Sequence, residues 1–542
     1  MKKILLLTVL VLAFAVPAFS QEVKLDFRAS GFIDMKTENY RYNWPSQGAF
    51  GFAGNNGSGN FFNTTAESMR PYDPHALVYK NQATYGSEWN RTKAYVESRG
   101  RLKFDAIMGK ELSGTVFLEM DSVTWGDYRT GSSGAGLGGY PFYAAGKNAV
   151  GWWGTDQVGL ELKNMYFDVA VPYIPLPITM RFGTQPFGLR SNMFMYVDGA
   201  GITSGIKVDP ATIVLYWAKM LNGRYSVSDG DDLYGLQLSA KVSTFTVGGY
   251  GFYFNMKTYP LNSTSLGTPV GANMATLDSN KAQIWWLGAY ADGKLGPVNI
   301  NFDFVYDTGD VKNRISGAKV NYEGWATRLK IDFPWEAFNF GVVGAYGSGG
   351  DTRKSSNNGL PGQAVADPAF AAAGYTSTKV SSYVVPVASE TGSWNEGETI
   401  SASYINGGFT GPNYNLNTYQ VHRGDMGGLW VAKIYAGYKV APDYKVTLQG
   451  LYYGDTTKHG DTFGYALNWG GTLATSSQAN GSTIGYELSL INEWQVYKNL
   501  MFRFGGGYLW PGNALKFFNP ITLTNDKPKG PYIITSALTY TF

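Results

Sequence analysis

Cysteine is absent from this 542-residue chain. That excludes a disulfide scaffold, thiolate metal sites and haem attachment through a CxxCH motif. Histidine is scarce: His75, His422 and His459 show no metal-ligand spacing. No GxSxG elbow accompanies them, so nothing in the sequence points to a catalytic nucleophile, and no enzyme is expected. Gly505, Gly506 and Gly507 sit in a strand-like run with no helix after it, which suits close strand packing rather than phosphate binding. Net charge is small as well, and a near-neutral chain gives no reason to expect a nucleic-acid partner. Past the first twenty residues no stretch approaches the roughly eighteen uninterrupted apolar residues of a transmembrane helix. No repeat of fixed period appears, which argues against a propeller or solenoid. No cofactor or metal is expected.

What is present points to an exported strand protein. Met1, Lys2 and Lys3 form a basic start, residues 4–16 an apolar run, and Ala18-Phe19-Ser20 a small-x-small cleavage site before Gln21. Residues 1–20 therefore read as a secretory signal peptide, and removing Lys2 and Lys3 lowers the formal charge from +3 to +1. Aromatics make up 15% of the chain, yet mean hydropathy is mildly negative. The two agree if greasy and polar residues alternate, with lipid on one face of each strand and water on the other. At the far end Tyr532, Ile534, Leu538, Tyr540 and Phe542 alternate with Thr535, Ala537, Thr539 and Thr541. Such a strand suits the closing edge of a membrane barrel, and the terminal Phe542 resembles the signal by which Gram-negative outer-membrane barrels are recognised for insertion.

Period-two segments recur throughout. Val298, Ile300, Phe302, Phe304 and Tyr306 oppose Asn299, Asn301, Asp303 and Asp307, and Trp325, Thr327, Leu329, Ile331 and Phe333 oppose Arg328, Lys330 and Asp332. The connections alternate in length. Short links fall at 109–111, 171–177, 209–210, 243–244, 292–297, 334–337, 441–444 and 496–499. Long polar stretches fall at 37–91, 127–155, 186–203, 221–232, 259–281, 308–320, 348–427, 456–482 and 511–530. Short turns on one side and long loops on the other are the layout of a transmembrane antiparallel up-and-down β-barrel. Eight turns and nine loops give eighteen strands over 21–542, with sixteen as the fallback because 158–170 alternates poorly and 205–209 is short for a span. No plug domain precedes the first strand, which argues against a TonB-dependent transporter. Tyr306, Trp325, Tyr346, Trp430, Tyr438, Tyr452, Trp494, Tyr508, Trp510 and Tyr540 fall near strand ends, where interfacial girdles would lie.

Residues 99–106 (Arg-Gly-Arg-Leu-Lys-Phe-Asp-Ala), then 112–121 (Leu-Ser-Gly-Thr-Val-Phe-Leu-Glu-Met-Asp) and Trp125-Gly126, resemble the homotrimeric outer-membrane porins of Gram-negative bacteria. The likeness is strong over 92–127 and rests on layout beyond it. It implies a trimer of water-filled barrels, each narrowed by an inward loop, in contact with outer-membrane lipid and lipopolysaccharide and inserted by the barrel-assembly machinery through Phe542. The long first and seventh loops depart from that pattern.

Charge on lipid-facing positions costs about 2–4 kcal/mol for Arg or Lys at midplane, so charged strand residues are expected to face the lumen. Arg99, Arg101 and Lys103 stack on one strand beside Glu119 and Asp121 on the next, and Arg28, Arg181, Arg328, Lys330 and Arg503 are further lumenal cations. They set ion selectivity, neutralise one another across strands, or do both. The loop from Pro186 to Asp198, carrying Arg190, is apolar for an outer loop; it folds inward as a constriction, mediates subunit contacts or packs over the rim. Acid-rich pieces at 229–232 and 307–310 lack a full Ca²⁺ ligand pattern and read as solvated turns. The function expected is passive diffusion of ions and small hydrophilic solutes through an outer-membrane porin. The alternatives are a substrate-specific channel and a closed barrel displaying its loops as an adhesin or scaffold.

Overall fold

The computed structural model describes residues 25–41, 92–125, 160–221, 230–257, 259, 280–313, 317–354, 426–462, 466–519, 523–527 and 530–542. Within the seventh loop it describes 362, 364, 367–373, 378–386, 389, 394 and 396–398. Residues 1–20, expected to be a signal peptide, and the stretches 42–91 and 127–155, expected to be loop, lie outside the described residues.

Eighteen strands form the wall: β1 Leu25–Arg41, β2 Thr92–Met108, β3 Leu112–Thr124, β4 Glu161–Ala170, β5 Ile178–Leu189, β6 Met195–Val208, β7 Ala211–Leu221, β8 Asp231–Val242 and β9 Phe245–Met256. They continue with β10 Asn280–Leu295, β11 Val298–Asn313, β12 Trp325–Trp335, β13 Phe338–Gly347, β14 Leu429–Ala441, β15 Tyr444–Asp455, β16 Thr483–Tyr497, β17 Leu500–Pro511 and β18 Tyr532–Thr541. Each pairs antiparallel with the next. β18 then pairs with β1, from Phe32↔Thr541 to Arg41↔Tyr532, so the sheet closes. Closure joins the first and last strands, so the described wall has no free end and its backbone groups pair strand to strand. All eight short links occur, and eighteen, not sixteen, is the strand number.

Three sequence expectations shift. The stretch 186–203 is not a long loop: β5 runs to Leu189, β6 starts at Met195, and only 190–194 turn. The weak strand near 158–170 begins at Glu161, and β1 continues to Arg41, past the expected loop start at 37. The first misreading has a physical cause. Phe187, Leu189, Met193, Phe194 and Met195 are buried, so their apolarity serves contacts inside the barrel, not a lipid face.

Outward residues alternate as expected. On β11 Phe302 and Phe304 are exposed while Asp303, Val305 and Asp307 are buried, and on β16 Leu488 and Leu490 are exposed while Glu487 and Ser489 are buried. Aromatic rows ring both ends of the outer surface. Trp325 stacks on Tyr346 at 4.8 Å, Trp430 packs on Tyr452 at 4.9 Å and Tyr452 on Tyr486 at 4.7 Å. At the short-turn end Phe338 packs on Tyr438 at 4.7 Å and Tyr540 on Phe542 at 5.8 Å. Trp430 and Tyr438 lie eight positions apart on β14. That is about 26 Å along a strand, or about 20 Å across at a tilt of ~40°, so the two rings sit just inside the edges of an apolar band about 25 Å tall. Among the described residues no helix is long and apolar enough to cross a membrane.

Leu490, 46% exposed, sits midway between the girdle residues Tyr486 and Trp494. Leu490→Arg is expected to destabilise the barrel in lipid by about 2–4 kcal/mol, read as an earlier urea midpoint in vesicle refolding. Leu490→Phe should leave the midpoint in place.

The inner face is polar only in part. On β8 to β11 it carries Leu233, Phe252, Phe254, Ile284, Trp286 and Val305, all 3% exposed or less. These side chains are inside the barrel yet dry, because other parts of the chain cover them.

Candidate functional site: an inward hairpin, a strap and a charged wall

The cover comes first from the β5–β6 hairpin. β4 pairs with β5 only as far as Thr184, and β7 pairs with β6 only from Ala200. Residues 185–199 therefore pair with each other alone and lean off the wall into the lumen. Their apolar side packs on the far wall: Phe194 meets Tyr250 at 4.7 Å and Phe252 at 5.1 Å. The tip is clamped by charge. Arg190, with φ +47, donates through Nη2 to Asp303 Oδ2 at 2.7 Å and to Asp292 Oδ1 at 3.1 Å, and its Nε also reaches Asp303. Its guanidinium lies 4.6 Å over the Tyr290 ring. Asp292 is three positions from the end of β10, so the tip reaches the short-turn end of that wall. At the root, Asp198 Oδ2 takes the Lys163 ammonium at 2.7 Å and Asp198 Oδ1 accepts from Asn164 Nδ2 at 3.1 Å.

A strap from the seventh loop covers the adjoining wall. Its Lys379 and Val380 run parallel to Asn321 and Tyr322. Val384 N–H then donates to the buried Asp307 carboxylate at 3.0 Å, and Trp286 Nε1 donates to the Val384 carbonyl at 2.8 Å. The strap touches the hairpin twice: Tyr383 OH donates to the Met193 carbonyl at 2.9 Å, and Tyr196 N–H donates to Ser389 Oγ at 3.0 Å. Burial, with Tyr250 and Asp307 adding to it, pushes the Tyr383 phenol well above its ordinary value and keeps it a neutral donor. Further on, Glu396 meets Arg328 at 2.6 Å and Glu398 meets Arg503 at 2.6 Å.

The opposite wall stays wetter. Glu119 accepts from Arg99 Nε and from Arg101 Nε, each at 2.7 Å, and from Lys163 Nζ at 3.0 Å. Lys103 pairs with Asp105 at 2.9 Å, Arg181 grips Asp168 at 2.7 and 3.0 Å while lying 4.0 Å over Tyr166, and Arg28 pairs with Asp26 at 2.8 Å. This wall is most open at Arg28, 66% exposed, while Arg101 and Glu119 are packed into the cluster; Arg503, on the strap's side, is as open as Arg99.

The sequence-predicted residues thus fall into two groups. Arg28, Arg99, Arg101, Lys103, Glu119 and Arg181 line the wetter wall, and Asp121 lies on β3 with its side chain outside the described residues. Arg190 and Arg328 are not free lumenal cations; each is mostly buried against carboxylates, Arg190 at the hairpin tip and Arg328 under the strap. Lys330 pairs with Asp332 at 3.2 Å. Sequence reasoning missed Lys163, Asp292, Lys433, Glu396 and Glu398, and it placed Asp198 only at the end of the apolar loop, without its partner Lys163. Asp292 had been placed in a short turn, and Glu396 and Glu398 lay in a loop without period. The acid-rich pieces are not solvated turns: Asp231 and Asp307 are buried on β8 and β11, while Asp232 pairs with Lys219 and Asp310 with Lys319. Among the described residues no cluster of His, Asp and Glu suits a metal ion.

This is a closed eighteen-stranded barrel with an oily exterior and an interior divided between inserted protein and a charged wall. No family model matches the chain, and no curated protein matches it in sequence. Solved structures of Pseudomonas aeruginosa are similar to it. OpdQ is 9% identical, with 95% of this chain and 98% of that chain covered and a TM-score of 0.45. The outer membrane protein OpdK is 7% identical, with the same coverage and a TM-score of 0.46. OccK11 (OpdR) is 10% identical, covering 95% and 96%, with a TM-score of 0.43. Likeness that distant adds no weight to a function, which must come from this chain's own residues.

Proposed function

We propose that the protein is an outer-membrane diffusion channel for ions and small hydrophilic solutes, a porin and not an enzyme. The observation that carries this reading is the charged wall of β1 to β5, open at Arg28, Arg99 and Lys103 and faced by an inserted hairpin, inside a barrel whose exterior is greasy between two aromatic girdles. Paired charges alone would also suit a closed barrel; what favours a channel is that Arg28, Arg99 and Lys103 stay open to the lumen, where fixed charge sets which ions enter. Transport is passive, driven by the solute gradient, and the hairpin of 185–199 sets the size limit. The reading includes export through residues 1–20, insertion by the assembly machinery through Phe542, contact with lipopolysaccharide and assembly as a homotrimer. Pore-lining roles go to Arg28, Arg99, Arg101, Lys103, Glu119, Asp121, Arg181, Lys330 and Arg503.

Planar-bilayer recording tests it. Purified protein should give stepwise, ohmic conductance, and an unboiled sample should migrate faster than a boiled one or as an oligomer. Folded protein that never conducts would favour a display scaffold. Arg99→Gln with Arg101→Gln removes two cations from the wet wall. The reversal potential in a salt gradient is expected to move toward cations by about a twofold permeability ratio; an unmoved potential would remove these residues from the selectivity role.

A further inference from the structure

Three lysines stand side by side on the outside of the barrel, at the long-loop ends of β10 and β11. Lys281 is directly opposite Lys312 in the ladder, and Lys312 is directly opposite Lys319 on the short strand Lys319–Tyr322 that precedes β12. The alternation of side chains puts all three outward. Trp285 and Leu287 of β10 are exposed while Ala282 and Ile284 are buried. Phe302 and Phe304 of β11 are exposed while Val311 is buried, and Val320 and Tyr322 of the short strand are buried. Like charges opposed across a ladder destabilise a sheet, so the row calls for an anion. The next row toward the membrane, Gln283, Asp310 and Asn321, holds one carboxylate, which meets Lys319 at 3.2 Å. To either side the charges cancel: Lys219 pairs with Asp232 at 3.1 Å and Lys379 with Glu323 at 2.8 Å. The cationic excess belongs to the row itself.

Its height selects the ligand. Lys281 is four residues beyond Trp285, whose ring stacks on Tyr253 at 4.6 Å in the aromatic girdle. Four residues are about 13 Å of strand, or about 10 Å along the membrane normal at a tilt of ~40°. Girdle rings sit at the level of lipid headgroups, so the phosphate of a glycerophospholipid lies below the lysines. A phosphate borne on a sugar reaches them while the acyl chains of the same molecule lie on Leu287 and Phe304. The row marks one sector of the rim. Two and four positions beyond the girdle residues Tyr346, Trp430, Tyr452, Tyr486 and Trp510, on β13 to β17, stands no lysine or arginine. We propose that Lys281, Lys312 and Lys319 bind sugar-borne phosphates of an outer-leaflet glycolipid. The proposal rests on the outer-membrane channel reading above and gives its lipopolysaccharide contact a site and a headgroup chemistry.

The test titrates rough lipopolysaccharide carrying inner-core phosphates onto folded, heat-modifiable protein in detergent, read by native mass spectrometry. Lys281→Gln/Lys312→Gln/Lys319→Gln is expected to weaken binding about fiftyfold, and Lys312→Gln alone about fivefold. Lys110→Gln/Lys445→Gln/Lys498→Gln removes three exposed lysines from the short-turn end and should leave the affinity within about twofold. Phosphatase-treated lipopolysaccharide should bind the wild type as weakly as the row variant binds the intact lipid. Phosphatidylglycerol and inorganic phosphate, at equal phosphate concentration, should not compete. Unchanged affinity in the row variant, equal loss in both triple variants, or equal competition by phosphatidylglycerol or by inorganic phosphate would each overturn the proposal. Planar-bilayer recording keeps the two readings apart, because the row lies outside the lumen and its removal should leave conductance and reversal potential as in the wild type. A wild type that conducts but binds no lipopolysaccharide would overturn the proposal alone; one that binds it through the row and never conducts would overturn the channel reading alone.

Discussion

Arg190→Ala is expected to raise single-channel conductance about threefold and to make the open current noisy, because it frees the tip of the inward hairpin. Arg190 is the only described cation on Asp292 and Asp303, and its side chain is 18% exposed. Removing one member of such a largely buried group costs about 3–5 kcal/mol, chiefly from the carboxylates left behind. That cost sits on Asp292 of β10 and Asp303 of β11 and lowers the barrel's denaturation midpoint, while the hairpin, whose residues 185–199 make no rungs with β4 or β7, loses its clamp. Asp292→Asn with Asp303→Asn in the Arg190→Ala background separates release from damage. It relieves the stranded charges, so the barrel should recover its denaturation midpoint while conductance stays high. The apolar contact remains in all these proteins, with Phe194 wholly buried, so adding Phe194→Ala should raise conductance again. Unchanged conductance in folded Arg190→Ala would mean that the hairpin does not set the narrowest section.

How far the sequence disclosed this follows from which surfaces obey a simple period. β11, β12 and β18 face lipid on one side and polar surroundings on the other, so their alternation was readable residue by residue. The eight short turns were readable because proline, glycine and small polar residues interrupt that period. Phe252, Phe254 and Trp286 break the rule: they point inward and are greasy, because the hairpin and the strap bury them. A covered inner wall and a lipid-facing outer wall carry the same residue types, and period two cannot tell them apart. Residues 186–203 failed for the complementary reason, since a hairpin packed inside a barrel has no lipid face to display. The charged residues were legible as lumenal on energetic grounds, but not their partners. Arg190 finds Asp303 across 113 positions and Arg328 finds Glu396 across 68, pairings that only the closed barrel creates.

Gly31→Ala is expected to abolish most of the folded barrel, because Gly31 stands where the cylinder closes. Its N–H donates to the Phe542 carbonyl at 2.9 Å, and the Phe542 N–H donates back to the Gly31 carbonyl at 3.0 Å, the last rung of the β1–β18 seam. A Cβ built there would lie 2.1 Å from the Arg101 carbonyl oxygen and 3.1 Å from the Phe542 ring. Backbone on the β2 side cannot yield without breaking its own ladder, so the methyl pushes β1 away from a neighbour on each side. Overpacking of this kind costs about 1–3 kcal/mol in a core, and here it also opens the seam from its last rung, so that continued unzipping would carry unpaired backbone groups into lipid, where each costs several kcal/mol. Gly114→Ala is the matched control, since a Cβ there meets nothing within 4 Å, and it should move stability by about 0.5 kcal/mol or less. Gel migration of unboiled protein after refolding into vesicles reads both. A heat-modifiable Gly31→Ala barrel with the wild-type urea midpoint would show that the seam tolerates a side chain at its final rung, and that Phe542 contributes nothing to closure by lying against it.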